Sequence, residues 1–340
     1  MNATETKRLK IAFYDTKSFD RVFFDPLAEK QGIDLVYHDF RLAESNAASA
    51  GGADAVCVFV NDKMDEACLG ALAEMGIRLV ALRCAGFSNL DLDAAKRLGI
   101  TIVRVPAYSP YSVAEHTVAL LLTLNRKIHR AYNRVRELNF SLGGLVGFDL
   151  HGKTVGILGT GKIGRITAGI FRGFGCKVLA QDLYPDEEWA GKNGVIYRTL
   201  NEVLAESDIV SLHMPLTSES HHILNEETIS RMKHGAFLIN TSRGKLVDSA
   251  AVITALKSGH LSGVALDVYE EEEGVFFEDH SVTALQDDVL SRLLTFPNVL
   301  VTSHQGFLTE EALSAIAETT LDSISSFVEG AEIPEERLVK

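Results

Sequence analysis

The sequence predicts an α/β protein made of two doubly wound parallel-sheet domains, and three observations predict it. A glycine signature, Gly159-Thr-Gly-Lys-Ile-Gly164, follows the short apolar run Lys153 to Leu158 directly. Short β-branched runs alternate with helix-length stretches on both sides of that signature. The signature also begins near mid-chain, so roughly 150 residues precede it that cannot belong to its own strand-helix-strand unit.

In the leading segment, Leu9-Lys-Ile-Ala-Phe-Tyr14, Ile33 to Tyr37, Ala55 to Val60, Leu79 to Arg83 and Ile100 to Val105 read as buried strands of a parallel, flavodoxin-like sheet. Pro106 and Pro110 then punctuate the chain. The apolar run Val113 to Ile128 is long enough for a buried helix linking two domains, with a hinge nearby.

The glycine signature opens the second, Rossmann-type domain. Gly159 permits the tight turn, Gly161 lets backbone approach a pyrophosphate, and Gly164 allows close packing of a helix whose N-terminal amides favour an anion. The stretch Arg165 to Phe174 suits that helix, and the next strand, Lys177 to Gln181, delivers Asp182 about twenty residues downstream, where a carboxylate reads ribose hydroxyls. A carboxylate there repels a 2′-phosphate, so the cofactor expected is NAD rather than NADP. Gln181 and Leu183 supply no cation for a phosphate, which leaves Arg165 and Lys162 as the cations that could approach from elsewhere.

Further strands are expected at Ile209 to His213, Ala236 to Asn240, Gly263 to Val268 and Val299 to Ser303. Ligands of such sheets bind beyond the carboxyl ends of the strands. Three residues fall there: Arg243 after Asn240-Thr-Ser, Glu272 after Asp267-Val-Tyr, and His304 after Val301-Thr-Ser. A guanidinium holds a small carboxylate in two parallel hydrogen bonds. An imidazole moves a proton near neutral pH, and a neighbouring carboxylate favours its protonated form. Beside a nicotinamide, these groups suffice for reduction of a 2-oxoacid, with Arg243 as anchor, His304 as acid and Glu272 as its partner. Taken singly, each is equally at home in a surface ion pair, a solvated acidic loop or a helix cap.

Composition fits a soluble enzyme. The 340 residues divide naturally into two domains, and 46% hydrophobic content supplies two cores. With 33 basic against 46 acidic residues, the net charge of -13 disfavours nucleic acid and anionic membrane as partners, so an anionic substrate needs a local cation. Cys57, Cys68, Cys84 and Cys176 lack metal-ligand spacing and read as reduced packing residues of a cytoplasmic protein, with no metal implied. The N-terminus is polar up to Lys10, without an apolar leader, and no run of about twenty apolar residues occurs.

The blocks Asn240-Thr-Ser-Arg-Gly244, Leu266-Asp-Val-Tyr-Glu-Glu-Glu272 and Thr302-Ser-His-Gln-Gly-Phe307 resemble the signatures of the D-isomer-specific 2-hydroxyacid dehydrogenases, and the resemblance spans essentially the whole chain. Ala81 to Asp91, Arg104 to Pro110 and Asn139-Phe-Ser-Leu142 are similar to that family's fermentative, lactate-forming branch. The resemblance implies NADH-dependent reduction of pyruvate, with Arg243, Glu272 and His304 as substrate anchor, acid-base partner and general acid. The D stereochemistry comes from it alone. It also implies a split substrate domain, residues 1–108 with 304–340, around a cofactor domain of residues 109–303.

The same resemblance assigns the substrate carboxylate to the backbone of Ala85 and Gly86, and a methyl-sized pocket to Phe59, Tyr108 and Phe307, whose alternative is ordinary core packing. To the cofactor it assigns Gly159, Thr160, Gly161, Lys162, Ile163 and Gly164 with Asp182, then His213, Met214 and Pro215 on the adenosine side, and Thr241 with Asp267 near the nicotinamide. His213 could equally be a loop histidine, and His116 is expected to serve the linker helix. A homodimer or homotetramer is implied as well. Two other readings stay open: a glyoxylate, hydroxypyruvate or bulkier 2-oxoacid reductase of the same architecture, and a noncatalytic nucleotide-sensing corepressor on the same fold. The match to the lactate-forming branch and the lack of a tail beyond Lys340 weigh against the sensor.

Overall fold

A computed structural model describes residues 8–339; the start of the polar N-terminal run and the final Lys340 lie outside the described residues. Two compact units emerge. Of the described residues, the first unit takes those up to Ser109 and those from Leu308 onward, and the second runs Pro110–Phe307.

The first unit holds five parallel strands, β1 (Leu9–Phe13), β2 (Ile33–Tyr37), β3 (Ala55–Val58), β4 (Leu79–Leu82) and β5 (Thr101–Arg104), in the order β2-β1-β3-β4-β5. β3 and β4 are buried at every position, as the unbroken apolar runs required of a sheet covered on both faces. The order reverses between β1 and β3, the switch point of a flavodoxin-like sheet. The 20-residue helix Glu310–Glu329 returns to this unit, packing against the helix Ser18–Gln31 and against β4 and β5. It does so because Ala312, Leu313, Ile316, Ala317, Leu321 and Ile324 form one apolar stripe at helical spacing.

The second unit holds seven parallel strands: β6 (Thr154–Leu158), β7 (Lys177–Gln181), β8 (Val195–Tyr197), β9 (Ile209–Leu212), β10 (Ala236–Asn240), β11 (Leu261–Leu266) and β12 (Val299–Val301). Their order is β12-β11-β10-β9-β6-β7-β8. The side-chain period of two splits their residues between two cores: Val155, Ile157, Val178 and Ala180 pack on one face, Leu158, Leu179, Val210 and Leu212 on the other. β8 is a strand the hydrophobic pattern did not announce. It has three residues, of which only Val195 is buried, too few to show a period.

The linker helix differs from the expected Val113 to Ile128. It spans Pro110–Arg126, with proline at its first position, where the missing N–H costs nothing. It stops because Lys127 adopts a left-handed conformation, φ 52°, after which the helix Ile128–Arg136 sets off with none of its residues buried. All four cysteines are free and buried, and burial pushes the Cys57 and Cys68 thiols up to about 12. Among the described residues no helix is long and apolar enough to cross a membrane.

Candidate active site

Because every pairing in the second sheet is parallel, all seven carboxyl ends open on one edge, with neighbours about 4.8 Å apart. In sheet order they carry His304 after β12, Asp267 and Glu272 after β11, Thr241 and Arg243 after β10, His213 to Pro215 after β9, the glycine loop after β6, Asp182 after β7, and Arg198 after β8. Arg243, Glu272 and His304, spread over 61 positions of the chain, thus follow three consecutive strands of the sheet.

Glu272 and His304 are in direct contact, Oε1 lying 2.9 Å from Nδ1. The other carboxylate oxygen of Glu272 accepts the Tyr269 amide at 3.2 Å, so the acid is oriented by backbone before it orients the ring. With Nδ1 donating to Glu272, Nε2 is the nitrogen able to carry a transferable proton. Both side chains are about a quarter to a third exposed, enough for a small substrate to reach them.

His304 sits at φ 49°, a conformation that strains a residue with a Cβ. Asp267 holds it there. Its backbone carbonyl accepts the His304 amide at 2.7 Å, while its carboxylate accepts the Gln305 and Gly306 amides at 2.9 and 2.8 Å and the Thr302 hydroxyl at 2.5 Å. Burial works to raise the Asp267 pKa, yet the bonds from His116, Thr302 and Gln305 overcome it and hold the carboxyl down at about 2. The sequence places His116 on the linker helix. It is on that helix, but its Nε2 lies 3.2 Å from both Asp267 Oδ1 and Thr302 Oγ1, which joins it to the acid-base loop.

Arg243 precedes a short 3-10 turn, Gly244–Leu246, and its guanidinium is exposed, donating from Nη1 to the Ser242 carbonyl at 2.7 Å. Asn240, the last residue of β10, braces the turn from both sides: Nδ2 donates to the Arg243 carbonyl at 2.8 Å and Oδ1 accepts the Ser242 amide at 3.0 Å. A Cβ on Gly244 would lie 2.0 Å from the Tyr269 carbonyl oxygen, so the anchor's turn is pressed against the residue whose amide orients Glu272. The three chemical groups therefore share one piece of backbone.

The glycine loop divides its labour as steric need dictates. Gly159 has φ 96° and would meet the His213 carbonyl at 2.5 Å with a side chain, and Gly164 would meet the Gly159 oxygen at 2.0 Å. Gly161 faces nothing within 4 Å. Two glycines are thus demanded by protein packing, and the third leaves open space before the helix Lys162–Gly173, whose first amides, including those of Ile163 and Gly164, have no partner within the helix and suit an anion. That combination fits the pyrophosphate of a dinucleotide.

Asp182 Oδ2 accepts the Thr160 amide at 2.6 Å and hydroxyl at 2.8 Å, and Oδ1 accepts the Tyr184 amide at 2.9 Å. Partial burial pushes this carboxyl up, but those bonds outweigh it and keep the acid below the usual carboxylate range, ionised at neutral pH. Asp182 lines a cavity of about 450 Å³ with Tyr197, Arg198 and Thr199, none of which the linear pattern marks, because the strand that ends at Tyr197 is too short to show a period. Thr241 bonds Thr117 on the linker helix at 2.7 Å, and Met214 and Pro215 offer carbonyls to Ser242 and Ser220. His213 keeps some solvent exposure as a residue, yet its ring is desolvated and its pKa falls to about 3. It is neutral at neutral pH, with Nε2 2.9 Å from the Ser211 hydroxyl.

In the first unit, Phe59, Ala85 with Gly86, and Tyr108 follow the neighbouring strands β3, β4 and β5. Phe59 is held at both ends of its backbone, by Asp62 Oδ2 at 2.5 Å and Asn89 Nδ2 at 3.0 Å, with the Arg83 guanidinium 4.7 Å from its ring. The Ala85 carbonyl accepts Arg104 at 2.9 Å, and Gly86 has open space where a Cβ would stand. Phe307 is the last, buried residue of the second unit.

Residues 118–306 match the family model for the D-isomer specific 2-hydroxyacid dehydrogenase, NAD binding domain. The chain is 54% identical to a 2-hydroxyacid dehydrogenase homolog of Zymomonas mobilis over 96% of its length and 99% of that protein. It is 49% identical to the D-lactate dehydrogenase of Escherichia coli, again over 96% and 99%. Among solved structures, the pyruvate reductase of Chlamydomonas reinhardtii superposes with a TM-score of 0.93 at 43% identity, covering 96% of this chain and 98% of that one.

Proposed function

We propose that this chain, which belongs to the D-isomer specific 2-hydroxyacid dehydrogenase family and takes NAD as its cofactor, is a D-lactate dehydrogenase that reversibly reduces pyruvate. The observation that carries the reading is the 2.9 Å pair of His304 Nδ1 and Glu272 Oε1, two strand ends from Arg243 on the edge that also bears the phosphate loop. The similarity to a D-lactate dehydrogenase and to a pyruvate reductase supports it.

In this mechanism Arg243 grips the substrate carboxylate through its planar fork and sets the carbonyl's orientation. When bound, NADH supplies a hydride to the carbonyl carbon. His304 delivers the proton from Nε2 to the carbonyl oxygen, and Glu272 stabilises the imidazolium before transfer and keeps Nδ1 protonated after it. Asp267 fixes the loop on which the imidazole stands. In the reverse direction the neutral imidazole takes the hydroxyl proton.

We assign the cofactor to Gly159, Thr160, Gly161, Lys162, Ile163, Gly164, Asp182, His213, Met214, Pro215 and Thr241, with Asp267 acting through the His304 loop. The substrate carboxylate is assigned also to the amides of Ala85 and Gly86, and the small side chain to Phe59, Tyr108 and Phe307; the first unit is accordingly the substrate domain. Assembly into a homodimer or homotetramer belongs to the same proposal. The helix Ile128–Arg136 and the segment after it expose Tyr132, Val135, Leu138, Phe140, Leu142 and Val146, a succession of apolar side chains that suits an interface between copies. Four buried free thiols suit the cytoplasm.

The test is oxidation of NADH with pyruvate, chiral analysis of the product, and a panel of 2-oxoacids with longer side chains. D-lactate as product and pyruvate as the preferred substrate are expected. A bulkier side chain winning would assign another reductase of this family, and absence of turnover would leave a sensing module.

A further inference from the structure

We infer that Arg198 is a cofactor-specificity residue, a cation sharing the adenosine-side cavity with Asp182, so that refusal of a 2′-phosphorylated cofactor rests on the carboxylate at Asp182 and not on the lack of a cation. This builds on the assignment of Asp182 to the ribose. The cations that the sequence offered do not serve. Arg165 is committed: Nε donates to the Thr160 carbonyl at 2.8 Å, Nη1 pairs with Asp186 at 3.0 Å, and the guanidinium lies 4.8 Å over Trp189. Lys162 begins the phosphate-loop helix on the neighbouring strand's end and does not line this cavity.

Arg198 does line it, together with Gln181, Asp182, Tyr197 and Thr199. Nη1 donates to the Tyr197 carbonyl at 3.0 Å, which ties the guanidinium to the end of β8 while using one of its five donors. Glu202, the other acid of the cavity, is engaged as a helix-capping partner of Thr199, accepting its amide at 2.9 Å and its hydroxyl at 2.7 Å. Asp182 is held rigidly by Thr160 and Tyr184. The Thr160 hydroxyl spends its proton on Asp182, so the Tyr197 hydroxyl, 2.7 Å away, donates to Thr160 and braces the arrangement from the β8 side. The fixed Asp182 carboxylate, the capping Glu202 and one exposed guanidinium therefore line the same space. Ribose hydroxyls satisfy the carboxylate, whereas a 2′-phosphate is repelled by Asp182 and attracted by Arg198.

The experiment measures binding without turnover, titrating 2′,5′-ADP and 5′-AMP into the full chain by calorimetry for the parent, Asp182→Asn, Arg198→Gln and the double variant. Asn removes the charge while keeping an acceptor for Thr160, and Asp182→Ser replaces it should thermal melting show the loop disturbed. Asp182→Asn should tighten 2′,5′-ADP relative to 5′-AMP by about tenfold or more, and adding Arg198→Gln should remove most of that gain, about tenfold, while moving 5′-AMP less than threefold. The NADPH to NADH efficiency ratio should follow the same order. If neutralising Asp182 gains nothing, both the ribose assignment and this inference fail. If the gain survives loss of Arg198, the inference alone is overturned.

Discussion

Replacing Gly244 by alanine tests whether anchor and acid-base pair are one mechanical unit. The new Cβ would stand 2.0 Å from the Tyr269 carbonyl oxygen and 2.5 Å from the Glu270 amide nitrogen, both backbone atoms, where ordinary contact begins at 3.4 Å. Something must move by about 1.4 Å, and neither neighbour is a side chain that can swing aside. On one side of the contact is the turn carrying Arg243; on the other, the Tyr269 amide that orients Glu272. Overpacking of this kind costs about 1–3 kcal/mol of stability, but a displacement near 1 Å at reacting groups costs about a hundredfold in rate. We expect kcat/KM for pyruvate to fall about a hundredfold, equivalent to about 2.7 kcal/mol, through both a higher KM and a lower kcat. NADH affinity should change less than threefold. Steady-state kinetics, NADH fluorescence titration and a melting curve measure the three quantities. A variant that melts normally and keeps kcat/KM within threefold of the parent would refute the coupling.

Arg243→Lys keeps the charge and loses the fork, so KM for pyruvate should rise and kcat drop by at least tenfold together; near-parental kinetics would exclude an anchoring role. His304→Gln should remove most turnover, at least a hundredfold, with NADH binding intact, and stopped-flow detection of undiminished reduction would end the assignment of the general acid. Glu272→Gln keeps the shape of the pair at 2.9 Å but not its charge, so kcat should fall more than KM changes; a pure KM effect would contradict it. His213 predicts an acid limb of stability. Its pKa is lowered from 6.5 to about 3 in the folded protein, so the unfolded chain binds more protons throughout that window, and the stability present above pH 6.5 is lost as pH falls toward 3. The loss is about 1.4 kcal/mol per unit, about 2 kcal/mol between pH 6.5 and 5. Urea unfolding of His213→Asn should show a correspondingly shallower decline, and parallel curves would disprove the linkage.

Local chemistry was legible in the chain. Strands such as Ala55–Val58, Leu79–Leu82 and Ala236–Asn240 stand where their apolar runs announce them, because a parallel strand covered on both faces reads as a nearly continuous apolar run and that pattern is written in consecutive residues. The glycine loop was equally readable, since a positive φ at Gly159 and a 2.0 Å approach at Gly164 exclude any other residue. So was the pairing of Glu272 with His304, through the signature blocks that carry them. What the linear pattern could not hold is which strand lies beside which, and what meets across them. The order β12-β11-β10-β9-β6-β7-β8 puts the acid-base loop at one end of the row and Arg198 at the other. His116 touches Asp267 across 151 residues. The short strand β8 owes its existence to pairing with β7 rather than to its own three residues. Periodicity reports which face of an element is buried; the partner on that face is chosen by packing the whole chain.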